Sequence, residues 1–287
     1  MDYTGMSLVL TCPRESQYAV TERLAAPETS ASLEFGAAWH RIMDAYNTYG
    51  WELSGDFVDE LVTTAVGEYR EKLGDYRTVE KLKRGFRAWL TQYAATHWIV
   101  RGSEASFTME IVPGAEPYEG RIDALVEACE GDKPPELWVV DYKTTGRLEA
   151  DWVTQYRVSN QFKGYFVAAK SKYPQAAGVI VDVYHATKGV QKGKTAQEVG
   201  GDRFYRVFFR FEEFQLNEFK ADYGMALINR ETYRSMGYWP KNTRACTRFG
   251  RSCDFLELCD ASSKELRETL KGGFVENTHS PQGGAEL

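Results

Sequence analysis

The chain has 287 residues, with 35 Lys and Arg against 41 Asp and Glu, a net charge of −6 and a pI near 5.5. A hydrophobic fraction of 43% with 14% aromatics excludes a disordered or fibrous chain and allows one large α/β domain. No apolar run reaches the roughly 18–20 residues of a membrane span, and the opening MDYTGMSLVLTCPRES lacks the basic start and cleavage site of a signal peptide, so a cytoplasmic protein without membrane partners is expected.

Residues 7–24 read as a short helical segment carrying Cys12-Pro13-Arg14, with Pro13 in a first helical turn. From Leu33 to about Tyr49, Phe35, Trp39, Ile42, Met43 and Tyr46 follow helical spacing. His40 lies beside that stripe, one turn after Gly36, whose missing side chain leaves room for another element. Two helices are expected at 56–73 and 77–97, the second basic on one side and aromatic on the other.

Strand patterning resumes near Ser106, and Gly120 to Thr145 then reads as two strands joined by the turn Gly131-Asp132-Lys133-Pro134-Pro135. The first carries Asp123. The second is the apolar run Leu137 to Val140 ending in Asp141, Tyr142 and Lys143. Strand alternation puts Asp141 and Lys143 on one face, about 6–7 Å apart. A helix over 151–173, strands at 177–186 and 204–211 and a long helix over 212–236 complete the pattern. Residues 272–287 read as a disordered tail. One domain over 1–271 is expected, since no boundary is visible.

Two carboxylates beside one ammonium suit a divalent ion and a nucleophilic water, as phosphodiester hydrolysis requires. Hard oxygen ligands favour Mg²⁺ or Mn²⁺. Asp123, Asp141 and a backbone carbonyl of Val140 or Tyr142 are candidate ligands, with Lys143 to orient or deprotonate water. Alternatives stand beside each of the other candidates. Glu110 is an exposed strand residue or a third carboxylate. His40 is a helix-surface or core histidine, or a ligand that biases the site toward Mn²⁺. Gln161 and Tyr165, four apart on one helix face, are a packing pair or contacts to phosphate or the carboxylates. The basic clusters Lys81, Lys83, Arg84, Arg87 and Arg244, Arg248, Arg251 are solvated faces or a local counter to the acidic total. Three of the five cysteines, Cys246, Cys253 and Cys259, fall in one segment, which in a cytosolic chain favours metal over disulfides; Cys12 and Cys129 are the candidates for a fourth ligand.

Taken in order, C-P-R at Cys12, F-G-x-A-x-H ending at His40, G-R-I-D ending at Asp123, D-Y-K-T from Asp141, Q-x-x-x-Y from Gln161 to Tyr165 and the three late cysteines resemble the RecB-type nucleases of the PD-(D/E)XK superfamily. The likeness is to its iron–sulfur members, among them AddB-type, CRISPR-associated and phage recombination exonucleases. The resemblance implies an α/β, restriction-endonuclease-like central mixed sheet flanked by helices, with a helical N-terminal region. It implies His40, Asp123, Asp141 and Lys143 for metal binding and catalysis, supported by Gln161 and Tyr165. It also implies a [4Fe–4S] cluster on Cys12, Cys246, Cys253 and Cys259, in which residues 1–32 and 240–262 join the chain's two ends. Six residues separate Cys246 from Cys253 where the family often has two, so zinc is the alternative occupant. Cys129 is then a small buried hydrophobe. The expected activity is a Mg²⁺- or Mn²⁺-dependent deoxyribonuclease, an exonuclease on DNA ends or single strands, alongside recombination or repair proteins in a bacterial or phage-infected cell. A DNA-binding or assembly module with the same fold and little activity is the alternative.

Overall fold

The computed structural model describes residues 1–49, 55–67, 69–96, 98–188, 201–248 and 251–278. In chain order its main elements are α1 (Tyr3–Thr11), α2 (Pro13–Ser16), β1 (Leu24–Ala25), α3 (Ala31–Tyr49), α4 (Gly55–Val66), α5 (Val79–Gln92), β2 (Ile99–Met109), β3 (Tyr118–Ala128), β4 (Glu136–Thr145), α6 (Trp152–Val158), α7 (Asn160–Lys172), β5 (Gly178–His185), β6 (Arg203–Phe209), α8 (Glu213–Met236), β7 (Thr247–Arg248), β8 (Arg251–Ser252), α9 (Leu256–Asp260), α10 (Lys264–Lys271) and β9 (Val275–Glu276). Where the sequence shows no boundary, the chain divides into two compact units. Among the described residues, one comprises 1–29, 108–120 and 213–278; the other comprises 30–107 and 121–212.

The second unit is built on a five-stranded sheet in the order β2-β3-β4-β5-β6. β3 and β4 pair antiparallel, β4 and β5 parallel, β5 and β6 antiparallel, so the sheet is mixed. The parallel step needs a crossover, and α6 and α7 supply it. Alternation then decides the faces. Ala124, Val126, Trp138, Val140 and Tyr142 join one buried cluster with residues of α3, α4 and α5. Trp39 anchors that cluster, fully buried, with its ring 4.6 Å from that of Tyr184. Each such ring removed from water contributes about 1.5–3 kcal/mol. Asp182 is also buried in this layer, compensated by Trp89 Nε1 at 2.9 Å and Arg206 Nε at 3.0 Å. Stripping Arg206 away would leave an unpaired buried charge, at a cost of about 3–5 kcal/mol.

Two details of this unit position the site. A Cβ on Gly36 would lie 3.3 Å from Thr144 Oγ1, so α3 packs closely on β4 at that turn, as its missing side chain suggests. The helix expected across 151–173 is interrupted at Ser159, which is extended (φ −63°, ψ 129°). Its hydroxyl accepts the Gln161 N–H at 3.3 Å and starts α7 afresh. The helices expected at 56–73 and 77–97 end earlier, at Val66 and Gln92. β2 begins at Ile99, well before Ser106. The Lys/Gly-rich sequence between the strands expected at 177–186 and 204–211 reads as a loop and falls largely on residues 189–200, outside the described residues.

In the other unit the buried face of α8 carries Leu216, Phe219, Tyr223, Ala226 and Arg230. The Tyr118 ring lies 5.4 Å from Phe219 and 5.3 Å from Tyr223, and Arg230 pairs with Glu116. Early and late segments meet here: Arg14 N–H donates to Pro240 O at 3.0 Å, Arg14 Nε to Trp239 O at 2.7 Å, and Asn242 Nδ2 to Thr11 O at 2.8 Å. Val275–Glu276 pairs with Leu24–Ala25, so the stretch expected to be disordered contains a paired strand; residues 279–287 lie outside the described residues. Among the described residues no helix is long and apolar enough to cross a membrane.

Candidate active site

The ladder between β3 and β4 runs from Ala128–Glu136 to Ala124–Val140. Just beyond it, the Tyr142 N–H donates to Asp123 Oδ2 at 2.8 Å, so a side chain takes the bond that a strand backbone would. The other oxygen, Asp123 Oδ1, lies 3.2 Å from His40 Nδ1, delivered by α3 from the turn after Gly36. Asp141 follows on β4 with 1% exposure, and Lys143 Nζ lies 2.8 Å from its Oδ2 and 3.1 Å from its Oδ1. From α7, Gln161 Nε2 reaches Asp141 Oδ1 at 3.4 Å and the Tyr165 hydroxyl at 3.1 Å. Asp123, His40, Asp141, Lys143, Gln161 and Tyr165 are thus brought together in one unit. Tyr142 contributes its backbone there; its side chain points into the buried cluster, where Asn47 Nδ2 donates to its hydroxyl at 3.2 Å.

Glu104 was not singled out in the sequence. Together with His40 and Asp123 it offers ligand atoms that all lie within 4.8 Å of one another. It sits on β2 at φ 48°, a left-handed conformation uncommon for a side-chain-bearing residue. Arg121 Nε lies 2.7 Å from its carboxylate. Next to it, Ser103 Oγ donates to Asp44 Oδ1 at 2.6 Å. Glu110, the carboxylate weighed from sequence, instead accepts the Gly114 N–H at 2.6 Å and closes the hairpin turn. Glu104 lies within β2, whereas Glu110 falls just past its end at Met109. Cys129 is exposed just past β3, contrary to the expectation of a buried hydrophobe, because the strand ends at Ala128.

Crowded carboxylates in a buried site repel one another. Burial, then Asp123, push Glu104 up to about 7. Burial pushes Asp141 up to about 6, only partly offset by Lys143. Asp123 is held low: burial alone would raise it, but His40, Lys143 and the Tyr142 N–H outweigh that. Burial lowers His40, but Asp123 and Asp141 together raise it by more. Lys143 is raised, with the carboxylates overcoming burial, and stays an ammonium ion. Asp141 Oδ2 is buried and, apart from the Lys143 ion pair, has no hydrogen-bond partner. An imidazole, crowded carboxylates and an acceptor short of donors form a donor set that fits a divalent cation.

A second set of ligand types lies in the other unit. Cys12, Cys246, Cys253 and Cys259 line one pocket, with Glu15 and Lys241 at its wall. Among the described residues, no three of these thiols lie within 4.8 Å of one another. Burial pushes the Cys253 thiol up to about 11, so a thiolate there calls for a neighbouring cation.

A model of the PD-(D/E)XK nuclease superfamily matches residues 3–260, nearly the whole length. The chain belongs to the PD-(D/E)XK nuclease superfamily. Its mixed five-stranded sheet with helices against it fits the restriction-endonuclease-like fold of that superfamily. Among solved structures, a protein from Eubacterium rectale designated an exonuclease is similar over 92% of this chain and 93% of that one, at 12% identity and a TM-score of 0.51. An alkaline exonuclease from Laribacter hongkongensis is similar over 71% and 95% respectively, at 11% identity and a TM-score of 0.28. No curated protein matches the chain. As a superfamily member the chain is a hydrolytic nuclease, of a kind that typically uses a divalent metal, and an acidic cluster of His40, Glu104 and Asp123 is present.

Proposed function

We propose that this chain is a RecB-type, Mg²⁺- or Mn²⁺-dependent deoxyribonuclease that acts on DNA ends or single strands in recombination, repair or phage DNA metabolism. The observation that carries the reading is the convergence of His40, Glu104 and Asp123 on one side of the buried Asp141–Lys143 pair. In this reading His40, Asp123, Asp141, Glu104 and the Tyr142 backbone hold the cation. When bound, it supplies Lewis-acid activation of water and neutralises phosphate charge. Lys143 keeps its proton beside Asp141, so its role is to orient the attacking water and to steady the charge growing on the phosphate oxygens. Gln161 holds the Asp141 carboxylate from the start of α7, where the positive end of the helix also favours that anion. Tyr165 fixes Gln161 in turn.

For Cys12, Cys246, Cys253 and Cys259 we favour a structural [4Fe–4S] cluster over zinc. Four thiols lining one pocket suit either group, and the order of the cysteine motifs, like that of the iron–sulfur nucleases, favours the cluster. The cluster would add a covalent tie to the hydrogen bonds already joining Arg14 and Thr11 to residues 239–242.

The test is hydrolysis of end-labelled single-stranded, blunt duplex and covalently closed circular DNA, each with Mg²⁺, Mn²⁺ or EDTA. Metal-stimulated loss of linear substrates with circles spared is the expected result. Tight binding without cleavage under every metal condition would instead mark a DNA-binding module.

A further inference from the structure

The helix α6 carries a tryptophan and a tyrosine and yet has no buried residue. Such rings usually bury about 150–250 Å² each. Here Trp152 and Tyr156 are only partly covered and stand in a row of rings. Tyr205 of β6 lies 5.4 Å from Trp152, Trp152 lies edge-on 5.7 Å from Tyr156, and Tyr156 lies edge-on 5.7 Å from Phe162. The row ends at the active site, where Lys143 Nζ sits 5.6 Å from the centre of the Phe162 ring. Arg157, exposed on the same helix, has its guanidinium 6.0 Å from the Phe209 ring. Closure of the apolar layer explains Phe162, which is 1% exposed and stacks on Phe209. It does not explain two large, half-covered rings on a seven-residue helix with no fully buried residue, directly before the Ser159 cap that sets Gln161.

We propose that Trp152 and Tyr156 form a stacking platform for unpaired bases of a DNA strand, placing its backbone at the Asp141–Lys143 pair; this rests on the nuclease reading above. The occupant follows from continuity with the site and from the chemistry of the surface. Aromatic faces bind bases, which all carry a π-face, and Arg157 meets the phosphates between them. Bases within a duplex are already stacked and paired, so the platform selects unpaired strands and frayed ends without reading sequence.

The experiment uses the full chain in EDTA, with fluorescence anisotropy of a labelled oligothymidylate, an abasic strand of equal length and a blunt duplex. Trp152→Ala and Tyr156→Ala are each expected to weaken oligothymidylate binding about 5- to 100-fold. The abasic strand and the duplex should be affected far less, and Trp152→Phe and Tyr156→Phe should restore binding. With Mn²⁺, KM for the oligothymidylate should rise by the same factor while kcat changes little. Alanine variants that match the wild type in binding and cleavage of the oligothymidylate would overturn the platform alone, as would wild-type protein binding the abasic strand equally well. Wild-type protein that neither binds nor cleaves any of the three would overturn the platform and the nuclease reading together.

Discussion

Asp123 Oδ2 accepts the Tyr142 N–H at 2.8 Å just beyond the last β3–β4 ladder pair, so one carboxylate completes the strand pairing while its other oxygen lies 3.2 Å from His40 Nδ1. The two duties are separable by substitution. Asp123→Asn keeps an acceptor for Tyr142, whereas Asp123→Ala leaves that N–H without one. In EDTA, urea unfolding should place the alanine variant about 1–3 kcal/mol below the asparagine variant. Both should lose Mn²⁺ binding by calorimetry. Equal stability of the two variants would show that the hydrogen bond contributes nothing.

Glu104 in β2 and Glu110 just past the strand's end give a contrast. Glu104 offers its carboxylate beside His40 and Asp123, while Glu110 caps the turn at Gly114. Glu104→Gln should weaken Mn²⁺ binding on the order of tenfold or more. Glu110→Gln should leave the affinity at the wild-type value. The reverse ranking in a metal titration would move the third carboxylate back to Glu110.

The crowded site also sets the pH dependence of the metal-free protein. Glu104 and Asp141 sit near 7 and 6, above their ordinary values of 4.5 and 3.8, chiefly through burial, and His40 lies above 6.5 because Asp123 and Asp141 together outweigh burial and Lys143. Between about pH 5 and 8 the native state therefore binds more protons than the unfolded chain, and stability falls as pH rises. Asp123, held low, acts only below about pH 4 and does not oppose this. Melting temperature in EDTA should drop from pH 5 to pH 8, and saturating Mn²⁺ should remove the drop by displacing those protons. A metal-free melting temperature that rises across this range would contradict the assignment.

For the cysteines, Cys12→Ala or Cys253→Ala should abolish the iron content of anaerobically prepared protein and lower its melting temperature more than Lys143→Ala does. Elemental analysis and thermal scans read both effects. Zinc without iron in the wild-type protein would overturn the cluster.

Much of the site was legible because local chemistry wrote it. The Gly131–Pro135 turn and the run Leu137–Val140 fix a hairpin, and strand alternation then forces Asp141 and Lys143 onto one face. Gly36 before His40 marked the close approach of α3 to Thr144. Glu104 was not legible, because its selection over Glu110 depends on a left-handed backbone at one residue and on which helix lies nearby. The break at Ser159 was missed although serine favours caps over helix interiors, because no glycine or proline stands at that point. The pairing of Leu24–Ala25 with Val275–Glu276 joins two-residue strands that are too short to carry any alternation.

The most direct test of the central claim compares wild type with Lys143→Ala on end-labelled single-stranded DNA in Mn²⁺, reading cleavage and binding in parallel. The expected result is cleavage reduced about a hundredfold or more, with binding retained. Undiminished cleavage by Lys143→Ala, and likewise by Asp141→Ala, would contradict the assignment of this pair as the catalytic centre.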